Sequence, residues 1–227
     1  MVRVTIFDAY GTLFDVNAAA RRLSQEPDRE QFAEIWEQVA RDWRAKQLGY
    51  TWLRAVTGAH TDFWRVTEDS LDWALEAAGL QDGEIRARLL DLYRRLEAYP
   101  EVRVVLERLK SSRLTTGILS NGSPDMLDAA VEHAGLRDLL DSLLSVEAAG
   151  IFKPASRVYD LVGETHGVPA DDVLFVSSNG WDAACAKGYG FKTIWVNRGN
   201  EPKERLPWTP DWILPDLMRV PEIAAAQ

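Results

Sequence analysis

Val2-Arg3-Val4-Thr5-Ile6-Phe7-Asp8-Ala9-Tyr10-Gly11-Thr12 opens the chain with a β-branched, apolar run that breaks into a carboxylate and a glycine turn. The run reads as a buried strand and the break as the loop at its C-terminal end. From about residue 16 to 96 the period changes and becomes almost wholly helical. Trp36, Val39, Trp43 and Gln47 share one helical face, followed by Trp52/Leu53/Val56, Leu71/Leu75/Ala78 and Ile85/Leu89/Leu92/Leu96. Beyond Tyr99-Pro100 helix and strand alternate. Helix 101–111 precedes a strand Leu114–Leu119, helix 124–134 precedes Leu143–Val146, and helix 154–166 precedes Val173–Val176. A helix near 182–188 leads to Thr193–Val196, and Asp211-Trp212-Ile213-Leu214 forms a last short strand. Repeated βα units of this length imply a parallel sheet covered on both faces, with right-handed crossovers. The expected architecture is α/β: a doubly wound, Rossmann-like core of residues 1–15 and 97–227, interrupted after its first strand by an all-helical cap, residues 16–96.

The composition fits that reading and narrows the function. Of 227 residues, 46% are apolar and 27% charged, which is enough apolar material for one large domain or a core with an inserted one. The balance of 26 basic to 35 acidic side chains, net −9, argues against a nucleic-acid binder, whose affinity rests on Lys and Arg. Cys185 is the lone cysteine, so neither an intramolecular disulfide nor a cysteine-based metal cluster is expected, and a reducing compartment, the cytoplasm, is the natural setting. No run is long and apolar enough to span a bilayer, and no signal-peptide pattern opens the sequence. One feature stands out: five of the nine Trp (Trp36, Trp43, Trp52, Trp64, Trp73) crowd into the helical insertion.

In open parallel sheets, ligands bind outside the carboxyl ends of the strands, near the switch in strand order. After the first strand stand Asp8, Tyr10 and Thr12; after the second, Ser120-Asn121-Gly122; beyond the third, Lys153-Pro154; after the fourth, Ser177-Ser178-Asn179-Gly180-Trp181-Asp182. Each alone reads as easily as a turn, a cap or solvated surface. At four successive strand ends they form a constellation. Lys153 beside Asp8 would favour the ionised carboxylate, and an ionised, partly desolvated carboxylate is a usable nucleophile.

The segments Asp8-Ala9-Tyr10-Gly11-Thr12-Leu13, Leu119-Ser120-Asn121-Gly122, Phe152-Lys153-Pro154 and Phe175-Val176-Ser177-Ser178-Asn179-Gly180-Trp181-Asp182 resemble the four motifs of the haloacid dehalogenase superfamily, and the resemblance covers essentially the whole chain. Within it the chain is more similar to the L-2-haloacid dehalogenases than to the phosphatases. Phosphatases of the superfamily carry a second Asp two residues after the nucleophile, to protonate the leaving alkoxide; here that residue is Tyr10. A halide leaves as a stable anion and needs no such proton. Ser177-Ser178 also stands where the phosphatases place a Mg²⁺-binding carboxylate. A Mg²⁺-dependent small-molecule phosphatase is thus the alternative reading, and a catalytically silent carboxylate-binding relative a third. An α/β-hydrolase dehalogenase is disfavoured, since no nucleophile elbow with a late His is present, and His60, His133 and His166 have no role in the route.

The resemblance implies hydrolysis of (S)-2-haloalkanoic acids to (R)-2-hydroxyalkanoic acids with inversion, through an aspartyl ester on Asp8, with no cofactor and no metal. It places the halide-accepting role on Arg44 in the stretch Trp43–Arg54, helped by Asn121 and the edge of Trp181; read alone, Arg44 is a surface residue paired with an acid. Ser120 and backbone N–H groups around Ala9, Tyr10 and Asn121 would hold the substrate carboxylate. Asp182, supported by Lys153, Ser177 and Asn179, would deprotonate the hydrolytic water. Thr12 would hydrogen-bond the nucleophile, Tyr159 would support the site, and Tyr10, Leu48, Phe63 and Trp181 would wall an apolar pocket. Trp36, Trp43 and Tyr50, seven residues apart, read as core or subunit-interface aromatics, and a homodimer through the insertion is the family expectation.

Overall fold

A computed structural model describes residues 1–227. The opening run forms β1 (Val4–Phe7), all four residues buried, starting two residues later than its pattern suggests. Four helices follow: α1 (Ala18–Leu23), α2 (Glu30–Thr57), α3 (Phe63–Ala77) and α4 (Gly83–Tyr93). Two of them start where a side chain satisfies free backbone donors: Asp62 accepts from the Arg65 N–H, and Asp82 from the N–H groups of Glu84 and Ile85. Helix α2 packs along α3, and α1 against α4 and α2. The two ends of this helical segment are stitched together, since the Asp15 N–H donates to the Glu97 carbonyl and the Tyr99 N–H to the Leu13 carbonyl, each at 2.9 Å.

From there the chain alternates as α5 (Val102–Ser111), β2 (Thr115–Ser120), α6 (Pro124–His133), β3 (Ser142–Ser145), α7 (Ser156–His166), β4 (Val173–Ser177), α8 (Gly180–Tyr189), β5 (Lys192–Val196), β6 (Trp212–Leu214) and α9 (Val220–Ala226). The six strands make one sheet in the order β3-β2-β1-β4-β5-β6, every neighbouring pair parallel. The order reverses at β1, with β2 on one side and β4 on the other, which opens the crevice expected of a doubly wound sheet. Register sets its contents: Phe7 lies opposite Ile118 and Val176, so Asp8 emerges level with the ends of β2 and β4. The strand interiors Ile6, Phe7, Ile118, Phe175 and Val176 are fully buried, each worth about 1.5–3 kcal/mol relative to exposure. No helix is long and apolar enough to cross a membrane.

Two sequence expectations need correction, the packing of Trp52, Leu53 and Val56 and the start of α8. Trp52, Leu53 and Val56, read as a packing face, are 38%, 63% and 87% exposed: in the last turns of α2 it is Thr51 that is buried and Ala55 that packs against the core. Of the seven-spaced aromatics only Trp43 is buried, its indole N–H donating to the Thr67 carbonyl at 2.9 Å, while Trp36 and Tyr50 are half-buried. Helix α8 starts at Gly180, not near 182, which carries Asp182 into its first turn and back over the sheet.

Candidate active site

Asp8 follows β1 directly and is anchored by its N–H to the Val176 carbonyl at 2.9 Å. Its side chain is 9% exposed and meets only donors. Oδ1 accepts from Lys153 Nζ at 3.2 Å; Oδ2 accepts from the Thr12 hydroxyl and from Asn179 Nδ2, both at 3.0 Å. Thr12 in turn accepts from the Ser178 N–H at 2.8 Å, which ties the loop after β1 to the loop after β4. Gly11 makes that crossing possible: its φ of +95° suits glycine, and a Cβ there would sit 3.0 Å from Ser178 Oγ.

Lys153 is 1% exposed and bridges two carboxylates, donating to Asp182 Oδ2 at 2.8 Å as well as to Asp8. Burial pushes its ammonium down, but the attraction of Asp182 and Asp8 and their hydrogen bonds more than offset this, so its pKa lies above the ordinary lysine value. Asp182 has no exposed surface. It accepts from Lys153, from Ser177 Oγ at 3.2 Å and from the Tyr159 hydroxyl at 2.8 Å. Burial raises its pKa above the usual carboxylate value; Lys153 opposes this, Asp8 adds to it, and the hydrogen bonds from Lys153 and Tyr159 oppose it again. Tyr159 stays protonated, its pKa held well above the usual phenol value by burial and then by Asp182. The structure corrects one expected pairing: Asn179 serves Asp8, not Asp182, and Tyr159 takes the place on Asp182 expected of Asn179.

Arg44, on α2, reaches down from the helical segment. Its guanidinium donates to Gln47 Oε1 at 2.8 Å, to the Tyr10 carbonyl at 3.0 Å and to Asn179 Oδ1 at 3.2 Å. It is not paired with an acidic residue, unlike Arg21, Arg54 and Arg198, which pair with Asp15, Asp69 and Glu101. Arg44, Leu48, Asn179 and Trp181 line a cavity of about 370 Å³. Trp181 meets Trp52 edge-on, ring centroids 5.3 Å apart, and its indole N–H is buried without a partner.

Ala9, Tyr10, Phe63, Ser120 and Asn121 do not line that cavity. Ser120 Oγ accepts from the Gly122 N–H at 3.1 Å, and Asn121 Oδ1 from the Lys153 N–H at 3.0 Å. Tyr10 is 4% exposed, stacked on Tyr93 and tilted against Phe63. Its edge lies over Gly122, where an added Cβ would come within 2.6 Å of the ring, so glycine is required. Burial, then Tyr93 and Asp8, hold the Tyr10 phenol well above its ordinary pKa, with Arg44 opposing. Ala9 is fully buried, its carbonyl accepting from the N–H groups of Thr12, Leu13 and Phe14. Sequence reasoning passed over Arg198, which donates to the Thr12 carbonyl at 3.0 Å and to Glu101 at 2.7 Å. An arginine in a loop after β5 carries no periodic signal.

A Mg²⁺ bound as in the phosphatases would need a second carboxylate facing Asp8. Asp182 is committed to Lys153, Ser177 and Tyr159, and the residue two after Asp8 is Tyr10, so no second carboxylate faces Asp8 free to bind a cation. The residues present do not fit a resident divalent metal. What they form is a buried carboxylate, Asp8, in contact with the Lys153 ammonium and linked through Asn179 to the Arg44 guanidinium.

Residues 2–190 match the family model of haloacid dehalogenase-like hydrolases. The chain is 43% identical to an (S)-2-haloacid dehalogenase of Pseudomonas sp. (strain YL), over 96% of this chain and 92% of that one. It is 44% identical to an (S)-2-haloacid dehalogenase of Xanthobacter autotrophicus, over 87% of this chain and 76% of that one. The solved L-2-haloacid dehalogenase from Xanthobacter autotrophicus with chloropropionic acid covalently bound superposes with a TM-score of 0.86 at 38% identity, covering 98% of each chain. The motifs, the sheet order and these likenesses agree, and the chain belongs to the haloacid dehalogenase-like hydrolase family.

Proposed function

We propose that this chain is an (S)-2-haloacid dehalogenase, hydrolysing (S)-2-haloalkanoic acids to (R)-2-hydroxyalkanoic acids with inversion through an ester on Asp8. The observation that carries the reading is the pairing of a three-donor carboxylate, Asp8, with an arginine that has no acidic partner, Arg44, where no acid is offered to a leaving alkoxide. The named activity of the relatives and the covalently bound chloropropionic acid of one solved neighbour support it.

Asp8 attacks the halogen-bearing carbon from behind and inverts it. Arg44, Asn121 and the edge of Trp181 receive the halide; a guanidinium is permanently charged and weakly hydrated, which suits a soft anion in a partly dry pocket. The substrate carboxylate rests on Ser120 and the N–H groups around Ala9, Tyr10 and Asn121. Nucleophile and substrate are both anions, and unit charges ~4 Å apart repel by roughly 4 kcal/mol at an effective dielectric of 20. Lys153 and Arg44 offset that repulsion. Water then attacks the Asp8 carboxyl carbon while Asp182 takes the water's proton; collapse of the tetrahedral intermediate breaks the acyl–oxygen bond, Asp182 returns the proton to the departing 2-hydroxyalkanoate oxygen, and the single inversion survives. The raised pKa of Asp182 makes it a stronger base than an ordinary carboxylate. Thr12 and Asn179 keep Asp8 aimed, Ser177 and Tyr159 brace Asp182, and Leu48 and Trp181 wall the alkyl group in the cavity lined by Arg44, with Tyr10 and Phe63 packed on each other outside it.

We further propose a division into a Rossmann-like core, residues 1–15 and 97–227, and a cap, residues 16–96. The exposed Trp52, Leu53 and Val56 favour a homodimer formed through that cap. The single cysteine favours a cytoplasmic setting. Incubation with the two enantiomers of 2-chloropropionate, with and without EDTA, tests the function. We expect chloride and D-lactate from the L enantiomer alone, unaffected by EDTA. Phosphate-ester hydrolysis abolished by EDTA, without halide release, would instead favour the phosphatase alternative.

A further inference from the structure

Gln47 is 1% exposed in the middle of α2, on a face otherwise made by Val39 and Trp43. A buried amide needs its partners, and here they fix its orientation. The Thr67 hydroxyl donates its only proton to the Phe63 carbonyl at 2.8 Å, so toward Gln47 it can only accept. It does so from Gln47 Nε2, at 2.8 Å. The amide carbonyl is thereby turned toward Arg44, whose Nη1 it receives at 2.8 Å. The Tyr93 hydroxyl lies 3.2 Å from Nε2 and 3.3 Å from Oε1, and closes the network. The helix carbonyl of Phe63 thus dictates, through Thr67, which end of Gln47 the arginine meets.

We infer that Gln47 is a positioning residue for Arg44, an acceptor without charge that fixes the guanidinium while leaving its positive charge for the departing halide. The inference rests on the dehalogenase reading above. A carboxylate at position 47 would reach the same guanidinium nitrogen, but would neutralise it as an ion pair. The other two acceptors of Arg44, the Tyr10 carbonyl and Asn179 Oδ1, are neutral as well, so no carboxylate hydrogen-bonds this arginine, although Glu201 and Glu204 line the same cavity.

The test compares single-turnover halide release from L-2-chloropropionate and L-2-bromopropionate by the wild type and by Gln47→Glu, Thr67→Val and Thr67→Ser, each variant checked for thermal stability. Weak halide acceptance penalises the poorer leaving group more, so the bromide-to-chloride rate ratio should rise in Gln47→Glu and Thr67→Val. For chloride the expected losses are about 10²-fold in Gln47→Glu and about tenfold in Thr67→Val. Thr67→Ser keeps the hydroxyl and should retain both rate and ratio. An unchanged ratio in Gln47→Glu and Thr67→Val, whether or not the rates fall, overturns the inference while wild-type halide release leaves the dehalogenase reading standing. No halide release by the wild type from either substrate overturns that reading and this inference with it.

Discussion

The two cations of the site are held in opposite ways. Lys153, on the sheet side, is sealed from solvent between two carboxylates, whereas Arg44, on the helical side, has only neutral acceptors and faces a cavity. Charge that is neutralised in place holds a geometry; charge left unneutralised is available to an incoming or departing anion. The lysine accordingly reads as the fixed counter-charge of Asp8 and Asp182, and the arginine as the working one. The global −9 says nothing of this, since the chemistry depends on where two positive charges sit and what already surrounds them.

The comparison predicts its own failures. Lys153→Met should have the largest effect, because it leaves Asp8 and Asp182 buried together without their cation. We expect a loss of about 3–5 kcal/mol in denaturant unfolding and no detectable halide release. The raised pKa of Lys153 adds a pH signature: its contribution to stability is complete at neutral pH, below the unfolded lysine value, and is lost as pH rises through the folded value. Lys153→Met should abolish that alkaline dependence. Arg44→Lys should unfold much like the wild type, since Arg44 makes no ion pair, yet lose about 10²-fold in kcat/KM, because the planar fork that spans three acceptors is gone. Tyr159→Phe should have the smallest effect, a loss of about 1 kcal/mol in stability. It removes a hydrogen bond that lowers the Asp182 pKa, so that pKa climbs further and the acid limb of kcat, which includes hydrolysis of the Asp8 ester, should move to higher pH. A limb that stays put would separate Asp182 from the rate-determining base.

The same contrast explains what the sequence discloses. The sheet side was legible because β-branched runs broken by Asp8, Asn121-Gly122 and Ser177-Ser178 mark strand ends, and in a parallel sheet all strand ends meet at one edge. Which donor serves which carboxylate was not legible. Asn179 turns to Asp8 because of its extended backbone just before α8, and Tyr159 reaches Asp182 from α7; neither follows from spacing along the chain. On the helical side, periodicity found Trp43 and its buried face but could not tell that Trp52, Leu53 and Val56 would face outward, since an apolar residue awaiting solvent or a partner has the same pattern as one awaiting a core. Gln47 was visible as a polar residue on an apolar face, but its meaning needed Thr67 and Tyr93 from two other helices.

The claim that the Asp8 carboxylate itself forms the ester is tested most directly by one turnover of enzyme in excess over L-2-chloropropionate in ¹⁸O-water, with mass spectrometry of the lactate and of the peptide containing Asp8. The mechanism predicts one ¹⁸O in Asp8 and unlabelled lactate. Labelled lactate with unlabelled Asp8 would mean that water attacks the substrate carbon directly, and would contradict it.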